Sequence, residues 1–222
     1  MKKLPKNFTV TAHTGCEGTA DNSLEAIKAG AKAGADIVEF DLRFDKDGNG
    51  ILSHDETEGK AVTLEEAFEL VASFDKLKVN VDCKTTDNLK EVYRLSEKYG
   101  ITHRIFYTGI EVKDVEEAKL QTTQISYFLN YKVKGFKKKN VKYIRSLISL
   151  VKEKGASGLN IRYSQCSKKM VDMFREEGLF VSVWTANSPR VMKKCLSFAP
   201  DNITTRYPSA LIEIINKSNK GA

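Results

Sequence analysis

Strands and helices alternate eight times along these 222 residues, and that rhythm predicts an α/β protein built as a parallel (β/α)8 TIM barrel. Three observations carry the expectation. Short β-prone runs around Val10, Val38, Val81, Phe106, Ser126, Leu159, Val183 and Ile203 each precede a stretch with helical periodicity. Helix stops recur at Gly34, Gly155 and Gly178. Polar residues collect at the C-terminal ends of the strands, where such a barrel keeps its chemistry. The length is slightly below the ~250 residues usual for a barrel, and a doubly wound sheet is the competing arrangement. No linker, low-complexity tract or internal repeat divides the chain, so 1–222 reads as one domain.

In order, Phe8-Thr9-Val10-Thr11-Ala12-His13 is a strand that ends at Gly15, and Asp21-Asn22-Ser23 caps a helix through Leu24, Ile27 and Ala31. The stretch 37–55 is an apolar strand followed by Asp45-Lys46-Asp47-Gly48-Asn49-Gly50, whose residues tolerate positive φ. Ile51-Leu52-Ser53 therefore folds back as a hairpin extra to the eight main strands and returns His54 toward the first arm. Thr63 and Glu66 have capping-box spacing ahead of a helix that reaches Val71. Strands are expected over 78–84, 105–108, 124–130, 159–161, 180–184 and 202–205. Helices are expected over 88–99, 112–120, 141–154, 168–177, 188–198 and 209–216.

Composition narrows the partners. With 41% apolar and 29% charged residues the chain is ordinary globular material, which excludes disorder. A net charge of +7 favours anions such as phosphates, nucleic acids or lipid headgroups without choosing among them. Much of the excess lies in the lysines of 132–142, which a solvated loop and helix start explains, so nucleic-acid binding is not expected. The first eight residues have the charge of a leader without its apolar run, and no window nears the ~18 apolar residues of a membrane helix. Stable membrane insertion is therefore not expected. Cys16, Cys83, Cys166 and Cys195 are too scattered for a zinc site or a disulfide framework, which points to reduced thiols and a cytoplasmic location.

Glu39 and Asp41 share one face of their strand while Val38, Phe40 and Leu42 take the other, and Asp82 comes late in the next main strand. Three converging carboxylates repel one another, and a divalent cation relieves that repulsion. An all-oxygen set favours calcium or magnesium over zinc or copper. The competing arrangement is solvation or pairing with Lys84 and Arg43. His13 and His54 end short strands beside the acids. Because histidine titrates near neutrality, the pair is suited to divide acid and base work. His103, lying just before a strand, reads as an ordinary surface residue. Lys84, on the same face as Asp82, offers a point charge to a phosphate oxygen.

The order Ala12-His13-x-Gly15, Asp21-Asn22-Ser23-Leu24, Glu39-Phe40-Asp41, Lys46-Asp47-Gly48 and His54-Asp55 resembles the glycerophosphodiester phosphodiesterase family. Thr63-Leu64-Glu65-Glu66, Asp82-Cys83-Lys84, Val183-Trp184-Thr185-x-Asn187 and Ile203-Thr204-Thr205-Arg206 extend the resemblance over nearly the whole chain. It implies a barrel of the phospholipase C-like phosphodiesterase type, with calcium or magnesium held by Glu39, Asp41 and Asp82. It also implies catalytic roles for His13 and His54, and phosphate or substrate contact from Lys84, Trp184 and Asn22. The implied reaction hydrolyses small glycerophosphodiesters to an alcohol and glycerol phosphate.

Several positions depart from that pattern. Thr14 stands where the family carries an arginine that grips phosphate, Asp21 and Asp82 stand where glutamates are usual, and Thr205 replaces an aspartate. Only eight residues separate Asp55 from Leu64, where relatives carry an inserted subdomain, so the pocket should be open. The missing arginine and the aspartate ligand are shared with sphingomyelinase D-like phospholipases, which makes a lysophospholipase D-like enzyme acting on lipid headgroups one alternative. A barrel that has lost catalysis and only binds phosphorylated ligands is another.

Overall fold

The computed structural model describes residues 4–57, 59–121 and 123–220. Residues 1–3, where the leader reading begins, lie outside them. In chain order the strands are β1 (Thr9–Ala12), β2 (Ile37–Phe44), β3 (Gly50–Leu52), β4 (Lys78–Cys83), β5 (Ile105–Thr108), β6 (Phe128–Asn130), β7 (Gly158–Arg162), β8 (Phe180–Trp184) and β9 (Asn202–Thr205). The α-helices are α1 (Leu24–Lys32), α2 (Leu64–Ala72), α3 (Leu89–Lys98), α4 (Val115–Gln121), α5 (Val141–Lys154), α6 (Lys168–Glu176), α7 (Pro189–Phe198) and α8 (Pro208–Lys220).

Caps set many of the helix starts. Ser23, Asn140, Ser167 and Ser188 each accept a hydrogen bond from a backbone N–H in the first turn, and Thr63 and Glu66 form the expected reciprocal box. Gly155 ends α5 in the left-handed region at φ 73°, where a side chain would be strained.

The first and last strands are neighbours, since β1 pairs in parallel with both β2 and β9. The sheet runs β5-β4-β2-β1-β9-β8-β7-β6, and its ends meet through a bridge between Tyr107 and Tyr127. That closure makes an eight-stranded parallel barrel and removes the doubly wound alternative. β3 stands off the barrel and pairs antiparallel with β2. The seam is where the strand limits differ from expectation. β6 begins at Phe128 instead of 124, because the preceding residues meet β5 only through that bridge and the Tyr107 N–H to Ser126 carbonyl bond of 2.9 Å. α4 begins at Val115, after a turn in which the Asp114 carboxylate accepts from the Glu111 N–H at 3.1 Å.

Alternate residues of each strand fill the barrel in layers. At the bottom Phe106, Phe128 and Phe180 pack with ring centroids 5.4 and 6.3 Å apart. Gly158 lets the backbone of Phe180 approach closely, since a Cβ there would fall 2.0 Å from the Phe180 carbonyl oxygen. The middle layer is polar and hydrogen-bonded: the Asn202 amide accepts from Thr11 Oγ1 at 2.8 Å and donates to Ser182 Oγ at 3.0 Å. The top layer carries the ionisable groups.

Candidate active site

Glu39 and Asp41 lie on one face of β2, and the β2–β4 register sets Asp41 beside Asp82. One oxygen from each of the three carboxylates lies within 4.8 Å of the others. Glu39 and Asp41 are buried, and Asp82 is partly so. Burial pushes the Glu39 carboxyl up to about 7, with the nearby His13 opposing the shift and Asp41 and Asp82 adding to it.

Neighbouring groups aim these oxygens. The Thr14 N–H donates to Glu39 Oε2 at 2.8 Å, and Thr108 Oγ1 donates to Asp82 Oδ1 at 2.6 Å. Lys84 Nζ sits 2.8 Å from Asp41 Oδ1 and 2.5 Å from Asp82 Oδ2. Burial works against the Lys84 ammonium, but the two aspartates outweigh it and hold its pKa above the usual lysine range. Lys84 thus takes up the pairing that the sequence left open. Arg43 does not reach the acids; its Nε donates to the His54 carbonyl at 2.9 Å. One ammonium against three clustered carboxylates leaves a net negative, all-oxygen seat, and that donor set fits a hard divalent cation.

The two histidines differ in setting and agree in tautomer. His13 is anchored through its N–H to the Thr205 carbonyl at 2.9 Å, and its Nδ1 donates to the Thr14 carbonyl at 2.9 Å. A carbonyl only accepts, so Nδ1 carries the proton and the neutral ring keeps its lone pair on Nε2. His54, whose side chain is 66% exposed on the loop after β3, sets Nδ1 against Asp55 Oδ1 at 2.9 Å, which again leaves Nε2 free. Both line one cavity of about 360 Å³ together with Glu39, Asp41, Asp82 and Lys84. The loop bearing His54 is short. Leu52 N–H bonds the Val62 carbonyl at 2.8 Å, and among the described residues no helix or strand covers the mouth between β3 and α2.

Trp184, at the end of β8, lines the same cavity. The Arg162 guanidinium lies over its ring at 5.7 Å, and the indole Nε1 is buried without a partner among the described residues. Asn22 has a different surrounding from the substrate contact that the sequence suggested. Its Nδ2 donates to Asp41 Oδ2 at 2.9 Å and its Oδ1 accepts from the Asp41 N–H at 3.0 Å, so one end of the amide holds the carboxylate and the other the backbone of the same residue. His103 is exposed ahead of β5 and does not line the cavity.

The sequence reading gave no role to Arg206, which it quoted only within the closing motif, and did not single out Asn80; both also line the cavity. Asn80 was findable, since it precedes Asp82 by two residues on the same strand face. Arg206 follows β9, and no local pattern ties it to the first quarter of the chain.

A family model of the glycerophosphoryl diester phosphodiesterases matches residues 5–210. The chain belongs to that family. With it comes membership of the phosphoric diester hydrolases. A glycerophosphodiester phosphodiesterase from Caldanaerobacter subterraneus subsp. tengcongensis is 27% identical, over 94% of this chain and 98% of the relative. Among solved structures, a glycerophosphodiester phosphodiesterase from Thermotoga maritima superposes with a TM-score of 0.73 at 22% identity, covering 93% of this chain and 98% of that one. An Oleispira antarctica phosphodiesterase in complex with the product sn-glycerol-3-phosphate superposes with a TM-score of 0.73 at 20% identity, covering 96% and 97%. At these identities the solved structures establish the shared barrel. No helix among the described residues is long and apolar enough to cross a membrane.

Proposed function

We propose that this family member is a divalent-cation-dependent glycerophosphodiester phosphodiesterase, working as a single domain, that cleaves small glycerophosphodiesters to an alcohol and glycerol phosphate. The observation that carries the reading is the convergence of His13, His54, Lys84 and three carboxylates on one cavity. Glu39, Asp41 and Asp82 would hold a calcium or magnesium ion, which would supply Lewis acidity.

The chain's own groups do the rest. The neutral imidazole of one histidine takes a proton at Nε2 from the attacking water or substrate hydroxyl as the new O–P bond forms. The other imidazole, protonated, returns a proton to the leaving alcohol oxygen as its P–O bond breaks. Lys84 offsets the charge gathering on the phosphate oxygens. Trp184 presents an apolar wall to the organic part of the substrate. The product held by the Oleispira relative has the chemistry this reading requires. Four free, buried thiols accord with a reducing compartment such as the cytoplasm.

The uncovered mouth and exposed His54 favour a second substrate class, lysophospholipids, whose leaving groups or acyl chains need room. Turnover of glycerophosphocholine and lysophosphatidylcholine with magnesium, calcium or chelator tests both. Activity on the first, lost with chelator and in His13→Ala and His54→Ala, is the expected result. Cation binding without turnover of any phosphodiester would leave only the ligand-binding barrel.

A further inference from the structure

The cavity presents four groups that carry or can take a positive charge: His13, His54, Lys84 and Arg206. The histidines are assigned to proton transfer, and Lys84 is held by Asp41 and Asp82. Arg206 is the permanent cation on the lining that stands apart from the carboxylate cluster. Its guanidinium meets one carboxylate, Asp21, through Nη1–Oδ1 at 2.8 Å and Nη2–Oδ2 at 3.1 Å. A guanidinium has five N–H donors, so Asp21 leaves three of them without a partner among the described residues.

The backbone holds that side chain in place. Asn187 Oδ1 accepts from the Arg206 N–H at 2.9 Å, and the Arg206 carbonyl accepts from the Glu17 N–H at 2.8 Å, so the loops after β8 and β1 clamp it from both sides. Gly15 makes the room. At φ 66° it lies in the left-handed region, and a Cβ there would fall 2.1 Å from Asp21 Oδ1 and 2.6 Å from Arg206 Nη1. Thr14 does not supply the missing charge: its hydroxyl is neutral, and it accepts from the Asn22 N–H at 2.5 Å.

We infer that Arg206 is a phosphate-binding residue of this site, oriented by Asp21 and offering its remaining N–H donors to the non-bridging oxygens of the substrate. The inference rests on the phosphodiesterase reading and names the group that grips the anion. A fork of parallel donors suits two oxygens on one phosphorus better than an ammonium does. Its position after the last strand, rather than beside His13, means that the arginine absent at position 14 has a spatial substitute from the far end of the chain.

The rival is a purely structural ion pair that ties the β1 and β9 loops together. Calorimetric titration with sn-glycerol 3-phosphate on wild type, Arg206→Gln, Arg206→Lys and Asp21→Asn separates the two. Arg206→Gln should weaken affinity about 10- to 100-fold, the range for losing a charge-assisted contact. Arg206→Lys should recover part of the loss, and Asp21→Asn should lose much less than Arg206→Gln, since it spares the guanidinium. Arg206→Lys serves alone if thermal melting shows the glutamine variant unfolded.

Wild-type affinity in Arg206→Gln, equal losses in Arg206→Gln and Asp21→Asn, full affinity in Arg206→Lys where the glutamine variant is unfolded, or no binding by wild type would each overturn the inference. Glycerophosphocholine turnover is measured separately. An enzyme that binds sn-glycerol 3-phosphate through Arg206 yet cleaves no phosphodiester would overturn the functional reading and leave this inference standing. One that cleaves it with Arg206→Gln unimpaired would do the reverse.

Discussion

The two sides of the barrel mouth are built from different chemistry. Strands β1, β2 and β4, with the loop after β3, bring His13, Glu39, Asp41, Asp82, Lys84 and His54, groups whose chemistry suits moving protons or holding a cation. Strands β6 to β9 bring Asn130, Asn160, Trp184, Thr204 and, just past β9, Arg206, groups that hydrogen-bond, stack or carry a fixed charge. The proposed function thus segregates reaction and recognition around one rim. Substitutions on the first side should act on kcat or cation affinity, and those on the second on KM or ligand affinity.

The largest effect tests the reaction side. His13→Ala should lower kcat by about 10²- to 10⁴-fold, as expected for loss of a general acid or base, while calorimetry finds its cation affinity unchanged. A rise in KM with kcat unchanged would break the division. Next comes Asn22, which holds Asp41 from behind. Asn22→Ala should weaken magnesium or calcium binding by about 10- to 100-fold, the range for losing a partner of a metal ligand, without altering sn-glycerol 3-phosphate affinity in the absence of cation. On the recognition side, Trp184→Ala should raise KM for glycerophosphocholine by about tenfold, from lost apolar contact, with kcat within threefold. A kcat effect as large as that of His13→Ala would move Trp184 to the other side.

The smallest effect concerns pH. The folded Glu39 carboxyl lies at about 7 against an ordinary 4.5, mainly through burial, so the folded state binds this proton more tightly than the unfolded chain does. Its contribution to stability is complete below about pH 4.5 and fades as pH rises through 7. Metal-free protein should therefore melt at a lower temperature at pH 8 than at pH 5.5, and Glu39→Gln should flatten that slope. Saturating magnesium should flatten it as well, by stabilising the carboxylate. A slope unchanged in Glu39→Gln would assign the pH dependence elsewhere.

Much of the reaction side was legible because it is local. Glu39 and Asp41 are two residues apart on one strand, Asp82 and Lys84 likewise, and strand alternation alone puts each pair on one face. Capping signals such as Thr63 with Glu66 were legible for the same reason. The partner of Asn22 was not legible because its short side chain has several uses, and only the approach of the β1–α1 loop to β2 turned both amide ends onto Asp41. β6 was drawn too long because a β-prone run sits at a seam that pairs through one bridge.

What the sequence determined by itself was periodicity: eight strand–helix units, which residues share a strand face, and so half of the site. Only the tertiary structure decided what stands opposite that half. The barrel closes by pairing β1 with β9, which brings Arg206 to Asp21 across a separation of 185 residues. Spacing along a chain reports contacts within a few residues, whereas a closed sheet joins its ends by hydrogen bonds that no local pattern encodes. That closure turns a histidine-and-carboxylate strand pair into a cavity with a second, cationic wall.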